Sequence, residues 1–229
     1  MSSSGAVFLL FALVIVVGLA VVAYLAVQRT RGMQAFAVAH GLTYSRSGWA
    51  LGDCGFQLFT RGNRRRWTHV LGGSWQGLPV VYTDYQYTEQ EGRNSETFSF
   101  SVVVVNIPLA TPQVEVAPRG LLGRLVESVG SGAGLQFESE DFNHRFVVHC
   151  ADPRFAYELI DARMMETMLR QDPGVHLTFG TIMAMVWSKQ LPLRSIDRLF
   201  DSAAAIIARV PDLVRREYGG IPPPPAAVG

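Results

Sequence analysis

An uninterrupted apolar segment near the N-terminus constrains the fold more than any other feature of the sequence. The 22 residues from Ala6 to Val27, AVFLLFALVIVVGLAVVAYLAV, include no charged side chain. At about 1.5 Å per residue, a helix of this length crosses the roughly 30 Å hydrocarbon core of a bilayer. The sequence therefore predicts an N-terminal tail over residues 1–5 and a transmembrane helix over residues 6–28.

A cleaved signal peptide is the alternative interpretation of this segment. Val21 and Ala23 offer small residues at a cleavage site. However, the apolar run exceeds the 7 to 15 residues of an ordinary signal sequence, and the preceding MSSSG supplies no basic residue. We therefore favour a helix that stays in the membrane.

The distribution of arginines predicts the orientation of the span. Arg29 and Arg31 follow the apolar segment directly, and no Lys or Arg precedes it. By the positive-inside rule, the protein is a single-pass plasma-membrane protein with its N-terminus outside and its C-terminal domain in the cytoplasm. Cys54 and Cys150 fit a reducing compartment or one disulfide equally well, so their redox state stays open.

The residues directly after the span predict a short juxtamembrane helix over residues 29–41. Its apolar positions are Met33, Phe36, Val38 and Ala39, and a glycine at position 41 suits the position just past a helix end. We expect this helix to carry the domain a turn or two away from the bilayer.

The next segments predict strands. RWTHVLGGSWQGLPVVYTDYQYTEQ has two extended runs around a turn at Gln76 and Gly77, which is typical of a hairpin. ETFSFSVVVVNIPL predicts a long strand whose middle, residues 102–105, is buried on both faces. The short run QVEVAP is expected to pair beside it.

Helices follow later in the chain. RGLLGRLVESVG has an apolar face, Asp152 and Pro153 begin one or two helices, and residues 193–210 repeat apolar side chains at steps of three and four. We predict a single α+β domain over residues 42–218, with a mainly antiparallel sheet, inserted helices and a long C-terminal amphipathic helix. The Pro-rich tail over residues 219–229 is predicted to be disordered.

Four phrases together resemble a known family: MQAFAVAHGLTY, HVLGGSWQGLPVVYTDYQY, FSFSVVVVNIP and FESEDFNHRFVVHCADPRFAYELIDARMMETML. The chain is similar to small single-span actinobacterial membrane proteins that share a domain of unknown function. The resemblance extends from the span to about residue 210 and is most specific between Glu138 and Met168. It implies a membrane-anchored domain, and no activity or cofactor comes with it.

The stretch FESEDFNHRFVVHC concentrates acids, histidines and a cysteine. If HRFVVHC is a strand, His144 and His149 point to opposite faces, which does not suit a metal site. Acids at 138–141 before a short turn are expected to cap backbone N–H groups, while Phe142 and Phe146 fill the core.

Motifs for other chemistries are missing from the sequence. It contains no G-x-S-x-G elbow and no C-x-x-C pair, and GSGAG has neither the lysine nor the glycine spacing of a phosphate-binding loop. We therefore predict no cofactor, no metal and no catalytic residue. With a net charge of +1, nucleic-acid binding is not expected.

The segment RGNRRRW is the most distinctive surface feature of the sequence. Arginines near an anionic leaflet contribute about 1 kcal/mol each to membrane binding, and tryptophan favours the headgroup level. The candidate contacts with anionic lipid are Arg29, Arg31, Arg61, Arg64, Arg65, Arg66 and Trp67.

These patterns favour a non-enzymatic, membrane-anchored protein. The leading hypothesis is that its cytoplasmic α+β domain binds a protein partner or anionic lipid at the inner leaflet. A membrane-tethered hydrolase or transferase that uses the acids near 138–141 with His144 or His149 is the second. A structural subunit of an envelope assembly, which requires a broad exposed apolar patch, is the third.

Overall fold

The structure is a computed structural model that describes residues 3–48, 57–92, 94–107, 109–119, 134–171 and 175–219. The predicted helix RGLLGRLVESVG beyond its first residue, Cys54 and nearly all of the Pro-rich tail lie outside these residues.

Helix α1 (Ser3–Ala39) is one continuous helix of 37 residues. It is long and apolar enough to cross a membrane, and the large apolar side chains between Val7 and Val27 are 47–71% exposed. The helix ends before Gly41, whose φ of +65° is the left-handed conformation predicted there.

The C-terminal third of α1 packs into the domain and does not hold it away from the span. Met33 and Ala37 are 0% and 2% exposed, whereas Val38 is 83% exposed. The helical repeat of 3.6 residues explains this difference, because positions 33 and 37 share a face that Val38 does not. The span and the predicted juxtamembrane helix are therefore parts of a single element.

Eight antiparallel strands form one sheet in the order β1-β2-β3-β4-β8-β7-β5-β6. Their bounds are β1 (Thr43–Ser47), β2 (Asn63–Trp75), β3 (Leu78–Glu91), β4 (Asn94–Asn106), β5 (Val114–Pro118), β6 (Phe146–Cys150), β7 (Val175–Phe179) and β8 (Ile182–Trp187).

The predicted hairpin is present, and so is the predicted long strand. Gln76 and Gly77 join β2 to β3 with φ of 49° and 80°, the positive values of a two-residue hairpin turn. Val102 to Val105 in β4 are buried on both faces. The predicted partner of β4 differs, because β8 pairs with β4 from Ser101↔Trp187 to Asn106↔Ile182, and QVEVAP forms β5 between β7 and β6.

Within the described ranges, five further helices follow the sheet's first half: α2 (Glu140–Arg145), α3 (Pro153–Leu159), α4 (Ala162–Gln171), α5 (Ile196–Ile207) and α6 (Asp212–Tyr218). Short 3-10 turns cover Gln57–Thr60 and Leu193–Ser195. Asp152 caps α3 as predicted, since its carboxylate accepts hydrogen bonds from the backbone N–H groups of Arg154 and Phe155.

The C-terminal amphipathic helix is shorter than the prediction. The apolar repeat continues to Val210, but α5 ends at Ile207 and a new helix begins after Pro211. Proline at position 211 lacks the N–H that would continue the helical hydrogen bonding. The repeat marked the buried face correctly, because Ile196, Phe200 and Ala203 are fully buried.

The sheet has an apolar core on each face. Alternate residues of β3 and β4, such as Tyr82 and Val103, pack with α1, α4 and α5, and Tyr85 and Val102 pack on the opposite face with Leu58. The overall architecture is the predicted one: an N-terminal apolar helix, an antiparallel sheet and several helices.

Candidate functional site where the apolar helix meets the sheet

A buried ion pair joins α1 to the sheet where the apolar span ends. The guanidinium of Arg29 donates from Nε to Oδ2 of Asp84 and from Nη2 to Oδ1, both at 2.8 Å. The side chains are 17% and 1% exposed. Two parallel hydrogen bonds between these planar groups fix both the distance and the angle between helix and strand.

Tyr82 and Ser101 complete the coordination of this pair on the sheet. The hydroxyl of Tyr82 donates to Asp84 at 2.7 Å and accepts from Nη2 of Arg29 at 3.2 Å. Ser101 Oγ lies 3.0 Å from the same hydroxyl. Burial raises the pKa of Tyr82 far above its usual range, and the nearby Asp84 carboxylate adds to this effect. The phenol therefore stays protonated and keeps donating.

The chain that follows β8 closes the cluster from the other side. Leu191 accepts from Nη1 of Arg29 through its carbonyl at 2.9 Å and donates through its N–H to Ser101 Oγ at 2.9 Å. Gln190 donates from its side chain to Oδ2 of Asp84 at 2.8 Å. We call Arg29, Asp84, Tyr82, Ser101, Gln190 and Leu191 the anchor cluster.

The anchor cluster explains how an arginine and an aspartate are tolerated beneath the helix. Removing two charges from water is costly, and pairing alone often only balances that cost. Here the remaining hydrogen-bonding positions are filled by Tyr82, Gln190 and the Leu191 carbonyl. The arrangement suits a fixed joint, because any tilt of α1 would leave buried charges unpaired.

The sequence contained one signal for this cluster. In the alternating strand PVVYTDYQY, Asp84 shares a face with Tyr82, so a carboxylate is placed on the core side of a central strand. Such an acid requires a cation. The pattern did not indicate that Arg29, separated from it by 55 positions, supplies that cation.

The contacts of α1 also show which end of the sheet faces the span. Arg29 contacts Asp84, while His40 lies with its ring 5.2 Å from Trp75, near the β2–β3 turn. Moving toward the N-terminus of α1 therefore means moving toward the C-terminus of β3. The part of β3 beyond Asp84, with its partner residues 63–67 in β2, lies on the side from which the span leaves. We call this side the span-facing end.

The predicted arginine segment lies at the span-facing end, but its side chains diverge. Arg66 pairs opposite Gln86 and the next residue, Trp67, opposite Tyr85, so their side chains project to opposite faces. Arg61 lies 3.8 Å from a carboxylate oxygen of Glu89, and Arg65 donates to the Phe59 carbonyl at 2.9 Å.

Two of the predicted lipid contacts have different surroundings from those expected. Arg29 is held by Asp84 inside the domain, so its guanidinium is not presented to lipid headgroups. Trp67 is half-buried, with ring centroids 4.7 Å from Phe59 and 4.2 Å from Tyr85. Arg31 and Arg64 are exposed.

The residues proposed for an enzyme are not brought together. The acids at 138–141 are exposed around the start of α2, and no hydrogen bond or ion pair in the described ranges connects them to His149. His144 is exposed and lies near the end of helix α2, not on a strand. The helix begins after Ser139, whose side chain caps it by accepting a hydrogen bond from the Phe142 N–H. The capping group is thus Ser139, and Phe142 and Phe146 fill the core as predicted.

Metal chemistry has no candidate site in the part of the chain that the structure describes, where no group of three or more His, Cys, Asp or Glu side chains is placed to hold an ion. His149 lies opposite Glu115 on neighbouring strands. Burial lowers the pKa of His149 and raises that of Glu115, so both shifts favour the neutral forms.

Comparison with known proteins identifies a related fold. No family model matches the chain, and no curated protein is significantly similar in sequence. Among solved structures, the crystal structure of the mycobacterial trehalose monomycolate transport factor A, TtfA, is similar with a TM-score of 0.56 and 14% sequence identity. The match covers 85% of this chain and 97% of that chain, so the two share a fold across nearly all of the transport factor.

Proposed function

We propose that the protein is a membrane-anchored accessory factor for transport of an envelope lipid, and that it holds a protein partner or lipid at the inner leaflet. The anchor cluster carries this proposal. It makes the span and the domain one rigid unit, so the same face of the domain always meets the membrane and anything embedded in it.

The similarity to a transport factor supports a role in transport. That protein is named for trehalose monomycolate transport, and 97% of its chain corresponds to this fold. Such a factor is proposed to act by placing other molecules. An anchor without a flexible linker suits that role, because position and orientation are both fixed.

The arginine distribution supports a cytoplasmic position for the domain. Arg29 and Arg31 follow the span, and Arg64, Arg65 and Arg66 are exposed at the span-facing end. Cations at that end would meet the negative surface of the inner leaflet. The continuity of α1 through the span into the core also favours a retained anchor over a cleaved signal peptide.

A linker insertion tests the rigid-anchor role. In the source organism, the protein is depleted and replaced by variants, and envelope lipids are extracted and quantified. Wild type is expected to restore them. A six-residue Gly/Ser insertion between Gln28 and Arg29 keeps both the span and the ion pair but uncouples them, and it is expected to restore less.

One control and two contradicting outcomes make that experiment decisive. A foreign single-span helix fused in the same helical phase at Gln28 is expected to restore lipid levels, because it preserves rigidity. The role in transport is wrong if depletion leaves the envelope lipids unchanged. The rigid-anchor argument is wrong if the linker variant works as well as wild type at equal protein abundance.

Contact with anionic lipid is a second, separable part of the proposal. A chain beginning at Gln28 lacks the span but retains Arg29, and its sedimentation with anionic and neutral vesicles measures the surface contribution. Changing Arg64, Arg65 and Arg66 to Ser is expected to weaken binding to anionic vesicles by about 1 kcal/mol per arginine. Equal, salt-insensitive binding to both vesicle types would contradict lipid contact.

A further inference from the structure

A cleft of about 550 Å³ opens beside the anchor cluster. It is bordered by the end of α4, the end of β8, the chain after β8 and the first turns of α5. Its lining includes Arg170, Trp187, Lys189, Leu191, Arg198 and Leu199. Leu191 belongs to both the cleft and the anchor cluster, because its carbonyl accepts a hydrogen bond from Arg29.

The strand registers place the cleft at the span-facing end. Trp187 pairs with Ser101, which pairs with Asp84, so these three residues lie at one level of the sheet. Strand β8 runs parallel to β3 because each is antiparallel to β4. Strand β8 ends at Trp187, and Lys189 lies in the bend that follows, before Gln190 and Leu191 contact Asp84 and Ser101. The cleft is therefore at the level of the anchor cluster, where the sheet's span-facing end begins.

The charges in the cleft are unbalanced. Arg170 lies 3.4 Å from Glu166, and Asp201 accepts hydrogen bonds from Trp75 and Gln76, so these two groups have partners. Lys189 and Arg198 are exposed and form no hydrogen bond or ion pair with any residue that the structure describes. The Asp201 carboxylate keeps its charge because both of its partners are neutral, so two unpaired cations and one acid leave the cleft with an excess of positive charge.

An apolar surface lies against these cations. Trp187 and Leu199 are 6% exposed, and the half-buried Leu191 completes the wall. A ligand that satisfies both parts has a phosphate or similar anion at one end and a hydrocarbon chain at the other. A cleft of this volume accommodates a headgroup with the first part of an acyl chain.

We infer that this cleft binds the phosphate headgroup of an anionic lipid drawn from the adjacent leaflet, with Lys189 and Arg198 on the phosphate and Trp187, Leu191 and Leu199 along the chain. The inference rests on the proposed position of the domain at the inner leaflet. It adds a specific ligand site to a surface that otherwise attracts anionic lipids only by charge. A lipid headgroup and a soluble phosphate ester would present the same phosphate to Lys189 and Arg198. The apolar wall of the cleft favours the lipid, because only the lipid has a hydrocarbon chain to place there.

Titration of full-length protein in neutral detergent micelles tests this site. Lysophosphatidic acid is the probe, with glycerol 3-phosphate as the soluble phosphate ester and lysophosphatidylcholine as the lipid with a neutral headgroup. Saturable binding of one lysophosphatidic acid per protein is expected by native mass spectrometry. Glycerol 3-phosphate and lysophosphatidylcholine are each expected to bind at least tenfold more weakly.

Two variants distinguish the cleft from general surface charge. The double variant Lys189→Gln/Arg198→Gln is expected to lose at least tenfold in affinity, because charge-assisted hydrogen bonds are lost. Its matched control, Arg209→Gln/Arg216→Gln, removes two exposed arginines elsewhere and is expected to bind normally. Ser195→Phe keeps every charge but fills the cleft, and its side chain makes no capping hydrogen bond that would be lost.

The outcomes separate clearly. Equal affinity of wild type and the Lys189/Arg198 double variant, or undiminished binding by Ser195→Phe, would overturn the cleft as the site. Equal binding of glycerol 3-phosphate and lysophosphatidic acid would overturn the lipid assignment in favour of a soluble phosphate ester. If lipid binding is lost while the double variant still restores envelope lipids, the transport role stands and the cleft is not needed for it.

Discussion

The two parts of helix α1 have the same secondary structure and opposite environments. From Val7 to Val27 the large apolar side chains are 47–71% exposed. From Arg29 to Ala37 the same helix supplies a buried ion pair and core side chains. The change occurs within one helical turn. A helix boundary is therefore not a domain boundary here, and the domain begins inside the long apolar helix.

The comparison predicts that the second part of α1 belongs to the folding unit. A chain that begins at Leu42 lacks Arg29, Met33 and Ala37 and leaves Asp84 buried without its partner. We expect it to lose about 5 kcal/mol or more, which is most of the stability of an ordinary domain. Urea unfolding followed by circular dichroism measures this loss.

A chain that begins at Gln28 is the matched control for that truncation, because it keeps the whole packed part of α1. It is expected to unfold cooperatively. Similar urea midpoints for the two truncations would mean that residues 29–37 are dispensable, and the comparison would fail.

The ion pair is predicted to give the next largest effect. Asp84→Ala leaves the Arg29 guanidinium largely buried and without its carboxylate, and we expect a loss of about 3 kcal/mol in full-length protein in micelles. Glu166→Gln, which removes the exposed pair with Arg170, is expected to change stability by less than about 0.5 kcal/mol.

A double substitution sharpens this test. Replacing both charges, as in Arg29→Met/Asp84→Leu, is expected to recover much of the loss, because no isolated charge stays buried. If the double variant is as unstable as Asp84→Ala, the instability has another cause, such as the unsatisfied Tyr82 hydroxyl.

Two apolar residues of α1 allow a direct comparison of its parts. Met33 is 0% exposed and Leu19 is 66% exposed. Met33→Ala is expected to lower the free energy of unfolding by about 2–3 kcal/mol, through lost burial and a cavity. Leu19→Ala is expected to leave domain stability in micelles unchanged. Equal effects would indicate that the span also packs on the domain.

The smallest predicted effect is a pH dependence near the anchor cluster. Burial lowers the pKa of His69, and Arg29 and Arg46 contribute to that shift while Asp84 opposes it. The unfolded chain therefore takes up the proton first, and stability should fall as pH is lowered below about 6.5, the unfolded value. Asn tolerates the φ of 54° at this position, so His69→Asn is expected to flatten the profile.

The exposed His144 supplies the control for this measurement. His144→Asn is expected to keep the wild-type decrease in stability between pH 7.5 and 5.5. A wild-type slope that persists in His69→Asn would assign the pH dependence to other groups, such as His149, whose pKa is also lowered by burial.

Local pattern predicted the elements of the sheet well and their partners less well. The β2–β3 hairpin followed from two alternating runs around Gln76 and Gly77, because the turn and both strands are adjacent in sequence. The partner of β4 was not predictable in this way. Strand β8 lies about 80 residues later and is apolar on both faces, so its pattern does not distinguish one neighbour from another.

The candidate site residues also differ in how well the sequence could predict them. The arginines at 61, 64, 65 and 66 could be singled out because they fall within six residues of sequence, and their contact with lipid stays a prediction. The cleft was not found, since Arg170, Lys189 and Arg198 come from three separate elements. His144 was assigned to a strand because its apolar successors suggested one, whereas the Ser139 cap begins a helix that ends at Arg145.

The sequence by itself determined the apolar span, the alternating strands and the α+β class, because hydrophobicity and its period are local properties of the chain. Only the tertiary structure decided that Arg29 belongs to the domain and not to the lipid surface. It also decided which cations line a cleft. The physical reason is that an ion pair or a cleft depends on distances between elements, and those distances are set by packing across the sheet.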